Sequence, residues 1–174
     1  CDRAILAAQS IKGRYGTTCA YYDDSVRQKL LMEQQITNEM KTALEEGQFH
    51  VYMQPKYDLN SERVAGAEAL VRWIHPTMGF MNPGEFIPLF EQNGFITELD
   101  QYVWNKTCEI IADWIARGNK YVPVSVNVSR KDIYMDNLPQ CLSDIVKAHG
   151  LRPNQLHLEI TESAYTENAD QVIG

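Results

Sequence analysis

Hydrophobic and polar positions along the chain alternate between a period of two and a period near 3.6, and the switches mark the elements. Residues 49 to 57 alternate, with Phe49, Val51 and Met53 on one face and Tyr52 and Gln54 on the other, which predicts a strand. Pro55 has no N–H and restricts that strand to an edge or an end of a sheet. Asp58 to Ser61 reads as a turn short enough for a hairpin, so the next strand, centred on residues 64 to 73, is expected antiparallel to the first. Alternation along it puts Gly66, Glu68, Leu70 and Arg72 on one face and Ala65, Ala67, Ala69, Val71 and Trp73 on the other. Asn82-Pro83-Gly84-Glu85, after a Gly79 turn, is a helix start with a cap and Pro at the first helical position, and Gly94 is its stop. A second helix is expected from Thr97 to Gly118, a strand from Tyr121 to Val128, a helix from Asp132 to Ala148, and a strand over 155–161. The strand parities set Ser125 and Asn127 opposite the valines, and His157 and Glu159 opposite Leu156, Leu158 and Ile160.

Ahead of these units, residues 25 to 47 read as one polar helix with Val26, Leu30, Ile36, Met40 and Leu44 near one stripe, suited to a connector. Residues 2 to 11 and 17 to 22 suggest a short helix and a small strand, too little for a core of their own and expected to be the end of a preceding domain. Strands followed by helices, each closed by Gly or Pro, describe strand–helix units on a largely parallel sheet. In such a barrel, polar residues near the C-terminal strand ends line the active-site mouth. Here they are Gln54, Glu68, Arg72, Asn127 and Glu159.

Composition narrows the chemistry. Across 174 residues the formal net charge is −7, which argues against binding of a nucleic-acid polymer while leaving room for a small phosphorylated ligand held by a local cation. The four cysteines, Cys1, Cys19, Cys108 and Cys141, have no C-x-x-C pair and are expected to be reduced thiols of a cytoplasmic protein. No apolar run approaches the roughly 18 residues of a membrane span. The segment is therefore expected to make no direct membrane contact, either as a cytoplasmic protein or as the cytoplasmic part of a membrane-anchored one.

Glu68 and Arg72 on one face of an apolar strand are costly to bury without partners, which leaves two readings, a structural ion pair between them or a site. Two carboxylates and an amide oxygen are hard donors suited to magnesium, manganese or calcium, and Arg72 offers a fork for phosphate. Together they suggest metal-assisted phosphate-ester chemistry. His50, His75, His149 and His157 have no zinc-ligand spacing, and Ser125, Ser129 and Ser163 have no G-x-S-x-G setting.

The motifs Tyr-Met-Gln-Pro at 52–55, Glu-Ala-Leu-Val-Arg-Trp at 68–73, Pro-Gly-Glu-Phe-Ile-Pro at 83–88, Asn-Val-Ser at 127–129 and Glu-Ile-Thr-Glu-Ser at 159–163 resemble, in order, those of EAL domains. That family hydrolyses the bacterial second messenger cyclic di-GMP. The resemblance implies an α/β fold, a partial (β/α)8 TIM-like barrel with an antiparallel first strand, truncated after about four strands. It implies that Glu68, Asn127 and Glu159 are catalytic metal ligands for magnesium or manganese, that Gln54 and Arg72 contact the cyclic dinucleotide, and that Glu162 holds a loop near the site and the dimer contact. The family reaction uses metal-activated water to open the ring to linear pGpG.

Residues 1–24 resemble the end of a GGDEF domain, giving the expected organisation 1–24 GGDEF-like remnant, 25–47 connector helix and 48–174 N-terminal half of an EAL domain. The later family motifs, a paired aspartate, a lysine, a glutamate and a glutamine, do not occur in this chain. The segment alone is therefore expected to turn over slowly or not at all, and to pair with a second copy or with the other barrel half. A non-catalytic module that binds cyclic di-GMP or a protein is the alternative.

Overall fold

The computed structural model describes residues 24–160. The expected elements at residues 2–11 and 17–22, Glu162, and the end of the chain lie outside them. The chain divides into two contact units between Thr42 and Ala43. Most of the first helix, α1 (Asp24–Glu45), belongs to the first of these, and its bounds fall within two residues of the expected connector. Thr37, which interrupts its apolar stripe, turns its hydroxyl back onto the Glu33 carbonyl at 2.9 Å.

The second unit is built on β1 (Phe49–Asp58), β2 (Arg63–His75), β3 (Gly79–Met81), β4 (Val124–Val128) and β5 (Leu156–Ile160), in the order β1-β2-β4-β5 with β3 on β2. The helices between them are α2 (Pro83–Asn93), α3 (Ile96–Ala116), α4 (Arg130–Ile133) and α5 (Leu138–Ala148). The first pair is antiparallel, and β2–β4 and β4–β5 are parallel, so the sheet is mixed as expected from the hairpin and the strand–helix units. Pro55 lies on β1, at one end of the strand order, where its missing N–H leaves no break within the sheet. The hairpin turn is closed by the Asp58 carboxylate, which accepts from the N–H groups of Asn60 at 2.7 Å and Ser61 at 3.3 Å.

One face of the sheet is apolar and packs under the helices. Ala67, Ala69, Val124, Val126, Val128 and Leu156 from the strands meet Trp104, Cys108 and Ile111 of α3 and Leu142, Ile145 and Val146 of α5. At the other end of the same layer Phe49, Trp73, Phe86, Phe90 and Phe95 form a cluster with ring centroids 4.9–6.1 Å apart, the range of favourable edge-to-face and tilted contacts. The N-cap of α2 forms as the sequence indicates: Asn82 and Glu85 make a reciprocal capping box, Pro83 opens the helix, and Gly94, at φ 90, ends it in the left-handed conformation.

Three expectations are corrected. The helix expected over residues 132–148 is two helices, because Ser129 caps a short α4 at Arg130 and Pro139, with no N–H and a ring that would strike the carbonyl one turn earlier, cannot continue it. Gly79 belongs to a short third strand rather than to a bare turn, pairing Phe80 with Ile74 and Met81 with Trp73. Strand β4 starts at Val124, where its pairing with β2 begins, and the Ala67 N–H donates to the Pro123 carbonyl at 3.0 Å at the start of that ladder. That approach is close enough that a Cβ on Gly66 would stand 3.1 Å from the Pro123 oxygen, which is why the strand carries glycine there.

Candidate functional site

The face of the sheet away from the helices carries the polar set. Cross-strand register pairs Gln54 with Glu68, Glu68 with Ser125, and Asn127 with Glu159, so residues from four strands share one surface. Arg72 stands farther along β2 on the same face, opposite His50. The strands bring Glu68 and Asn127 together, the Asn127 amide donating to the Glu68 carboxylate at 3.1 Å. Asn127 is held from behind as well: the indole of the buried Trp104 donates to its backbone oxygen at 3.0 Å, tying α3 to the end of β4. Gln54 is exposed, and Glu68, Arg72, Asn127 and Glu159 are half-buried. The ion pair between Glu68 and Arg72 is not formed. Arg72 instead donates to the Val71 carbonyl at 2.8 Å, and no ion pair joins the two among the described residues.

Glu159 makes a different contact. The Lys56 ammonium, projecting from β1, pairs with its Oε1 and also donates to the Ser125 hydroxyl at 3.2 Å. In a flat sheet β1 and β5 would lie about 14 Å apart, three strand spacings, and side chains perpendicular to the sheet would not meet over that distance. The pair therefore reports a curled sheet with its polar face concave. The Lys56 ammonium and the Ser125 hydroxyl, acting against a small burial cost, hold the Glu159 carboxyl below the usual carboxylate range, so it is charged at neutral pH. The sequence reading missed Lys56, although alternation from Tyr52 and Gln54 by two more residues puts it on the site face.

A second carboxyl cluster lies just behind the mouth. Asp132, fully buried, takes the Ser129 N–H at 3.0 Å and the Ser129 hydroxyl at 2.6 Å on one oxygen. Its other oxygen, Oδ1, is buried with no N–H or hydroxyl donor. Burial, together with the hydrogen-bonding neighbour Asp132, pushes the Asp100 carboxyl of α3 up to about 9, so it keeps its proton at neutral pH and offers an O–H to Asp132. A cleft of about 220 Å³ opens beside the ends of β2 and β4, bordered by Arg72, Ile87, Glu91, Asp100, Asn127 and Ser129.

Glu68, Asn127 and Glu159 offer carboxylate and amide oxygens and fit a hard divalent cation rather than zinc. Among the described residues no three His, Cys, Asp or Glu side chains converge, so any such site would combine two carboxylates with the Asn127 amide oxygen. Cys108 and Cys141 are free thiols, and burial pushes Cys108 up to about 11, away from nucleophilic use. Cys1 and Cys19 lie outside the described residues. None of the described helices is long and apolar enough to cross a membrane.

A curled α/β sheet with helices on its outer face and acidic and amide side chains at the strand ends defines an incomplete barrel of the TIM type. The chain belongs to the EAL domain family, whose sequence model matches residues 37–173. It is 30% identical over 169 residues to the bifunctional diguanylate cyclase/cyclic di-GMP phosphodiesterase MucR of Pseudomonas aeruginosa, covering 97% of this chain and 24% of that protein. It is 31% identical over 170 residues to the cyclic di-GMP phosphodiesterase NbdA of the same organism, covering 98% and 22%. The chain thus spans about a quarter of the length of these curated relatives. Among solved structures, the MucR phosphodiesterase in complex with c-di-GMP superimposes with a TM-score of 0.73 at 32% identity, over 79% of this chain and 56% of that one. The FimX EAL domain of Pseudomonas aeruginosa bound to c-di-GMP, at a TM-score of 0.68 and 22% identity over 78% of this chain and 54% of that one, shares the fold.

Proposed function

We propose that this chain supplies the first half of the catalytic face of a cyclic di-GMP phosphodiesterase domain that opens the ring to linear pGpG. The observation that carries the reading is the Gln54, Glu68, Asn127 and Glu159 row on the concave face, at the positions of the EAL motifs, with Glu68 and Asn127 already in contact. Glu68, Asn127 and Glu159 would hold magnesium or manganese, which when bound would polarise the phosphoryl oxygen and lower the pKa of a water. Arg72 has five N–H donors and uses one on Val71, leaving a fork for a phosphate oxygen pair. Gln54, exposed on the same face opposite Glu68, would orient the ring of the dinucleotide by hydrogen bonding. Trp104 fixes the strand end, so that Asn127 stays aimed at Glu68 without reorganisation when substrate arrives.

The proposed setting is cytoplasmic, either free or as the cytoplasmic part of a membrane-anchored signalling protein. Residues 1–24 would close a GGDEF-like domain and 25–47 would connect it to the EAL portion at 48–174, with Glu162 holding a loop near the site. The strands β1, β2, β4 and β5 give only part of a barrel wall, so residues 1–174 by themselves should hydrolyse slowly or not at all, and should pair with a second copy or with the other half of the barrel. A non-catalytic module that binds cyclic di-GMP is the second reading, favoured by the pairing of Glu159 with Lys56.

The experiment is hydrolysis of cyclic di-GMP with magnesium and then manganese, by this chain and by the same chain extended through a complete barrel. Activity in the extended form that falls at least about a hundredfold in Glu68→Ala is the expected outcome. Binding without turnover in both would replace it with the sensor reading.

A further inference from the structure

Of the two cations on the concave face among the described residues, Lys56 and Arg72, Lys56 is the one that pairs with a proposed ligand of the divalent cation. Its ammonium sits on Glu159 Oε1, an oxygen the cation would need, and one oxygen lone-pair region cannot serve both at contact distance. It also has a second acceptor, the buried Ser125 hydroxyl at 3.2 Å, on the strand between Glu68 and Glu159. An ammonium with two acceptors can surrender one without being left bare among half-buried groups. Its stem rises from β1 on the Gln54 face, so the tether is short and its charge remains over the site in either position.

We propose that Lys56 is a tethered counter-cation: it neutralises Glu159 in the cation-free protein, withdraws onto Ser125 when a divalent cation binds, and so sets the affinity for that cation by competition. The proposal rests on the assignment of Glu159 as a metal ligand. Its consequence runs against the usual result of mutating a site residue, because deleting this one improves binding. It also leaves Glu159 paired before any metal arrives.

The test is titration of manganese into the full-length protein carrying this chain, without nucleotide, following free manganese by electron paramagnetic resonance. Lys56→Gln should bind manganese about tenfold more tightly than the unmodified protein, since a unit charge a few ångströms from a doubly charged ion is worth at least that in a partly solvated site. Lys56→Arg keeps the charge and should retain the weaker affinity. Lys56→Met, which keeps the aliphatic stem, repeats the measurement if thermal unfolding shows the Gln variant to be destabilised. Glu159→Gln should weaken binding in the unmodified protein and erase the gain when combined with Lys56→Gln.

If Glu159→Gln weakens binding but removing the lysine charge leaves affinity unchanged or lowers it, the counter-cation is refuted and the metal site stands. Tightening by Lys56→Arg as well would also refute it, because the effect would then not be one of charge. If Glu159→Gln has no effect on manganese, the ligand assignment itself fails and the counter-cation falls with it.

Discussion

Two pairs flank the end of β4, the carboxyls Asp100 and Asp132 on one side and Glu159 with Lys56 on the other, and their environments give the carboxyls opposite states. Asp100 and Asp132 lie behind the strand, with Asp132 fully buried; burial disfavours the charged form, a second negative charge beside Asp132 adds to that cost, and Asp100 is pushed up to about 9 and keeps a proton. Glu159 lies in front of the strand, with its side chain 36% exposed and a lysine beside it, and its carboxyl is held below the ordinary range. The same functional group thus serves as a hydrogen-bond donor on one side of the sheet and as an anion on the other. What differs is solvent and the sign of the nearest charge. The rear pair is suited to holding the Ser129 turn where β4 ends; the front pair is suited to meeting a ligand.

Breaking the rear pair should have the largest effect on stability. Asp132→Ala removes the acceptor for the Ser129 N–H and hydroxyl and leaves both buried donors short of a partner, together with the Asp100 O–H. Loss of a cap and of a buried network should cost about 3 kcal/mol, read as a lower urea midpoint with an unchanged slope.

Asp100→Asn sharpens the comparison through pH. A folded carboxyl that holds its proton up to about 9, against an ordinary value of 3.8, contributes stability that is fully present below 3.8 and is lost as pH rises through 9. Urea unfolding at pH 5, 7 and 9 should show the unmodified protein weakening across that window. The Asn variant keeps an N–H donor toward Asp132 without a titrating proton, so its profile should be flatter, with a difference of a few kcal/mol, on the order of 5, between pH 5 and 9. Parallel profiles would mean that the two carboxyls do not share a proton.

The front of the sheet was more legible in the sequence than the back. Period-two alternation put Glu68, Asn127 and Glu159 on one face because strand parity is set by covalent geometry, and the sheet confirms that face by register. Lys56 carried the same parity signal and was passed over because its partner, Glu159, is 103 residues away and only sheet curvature brings the two together. The Asp100–Asp132 pair had no such signal. Asp100 sits in the first turns of an amphipathic helix, where an acid reads as an ordinary helix-start residue, and Asp132 was assigned to the start of a long helix that Pro139 divides. Caps were read well where their signature is local, as at Asn82–Glu85. The third strand was missed because three residues are too few for a period, and its pairing of Phe80 with Ile74 is purely tertiary.

The smallest effect is expected in front. Glu159→Gln removes the charge that meets Lys56, an interaction that looks strong by contact but has both side chains more than one-third exposed, at 42% and 36%. Water screens such a pair, and ordering two long side chains offsets most of the attraction, so exposed ion pairs contribute roughly 0–1 kcal/mol. The direction of the Glu159 shift agrees in sign: a lowered folded value adds stability above the ordinary carboxylate range and loses it as pH falls through the folded value. At pH 7 the variant should therefore unfold within about 1 kcal/mol of the unmodified protein, with any difference shrinking in high salt and at pH 3. A loss as large as that of Asp132→Ala would show Glu159 to be a structural anchor, and the contrast between a rear pair that holds the strand and a front pair free to bind would collapse.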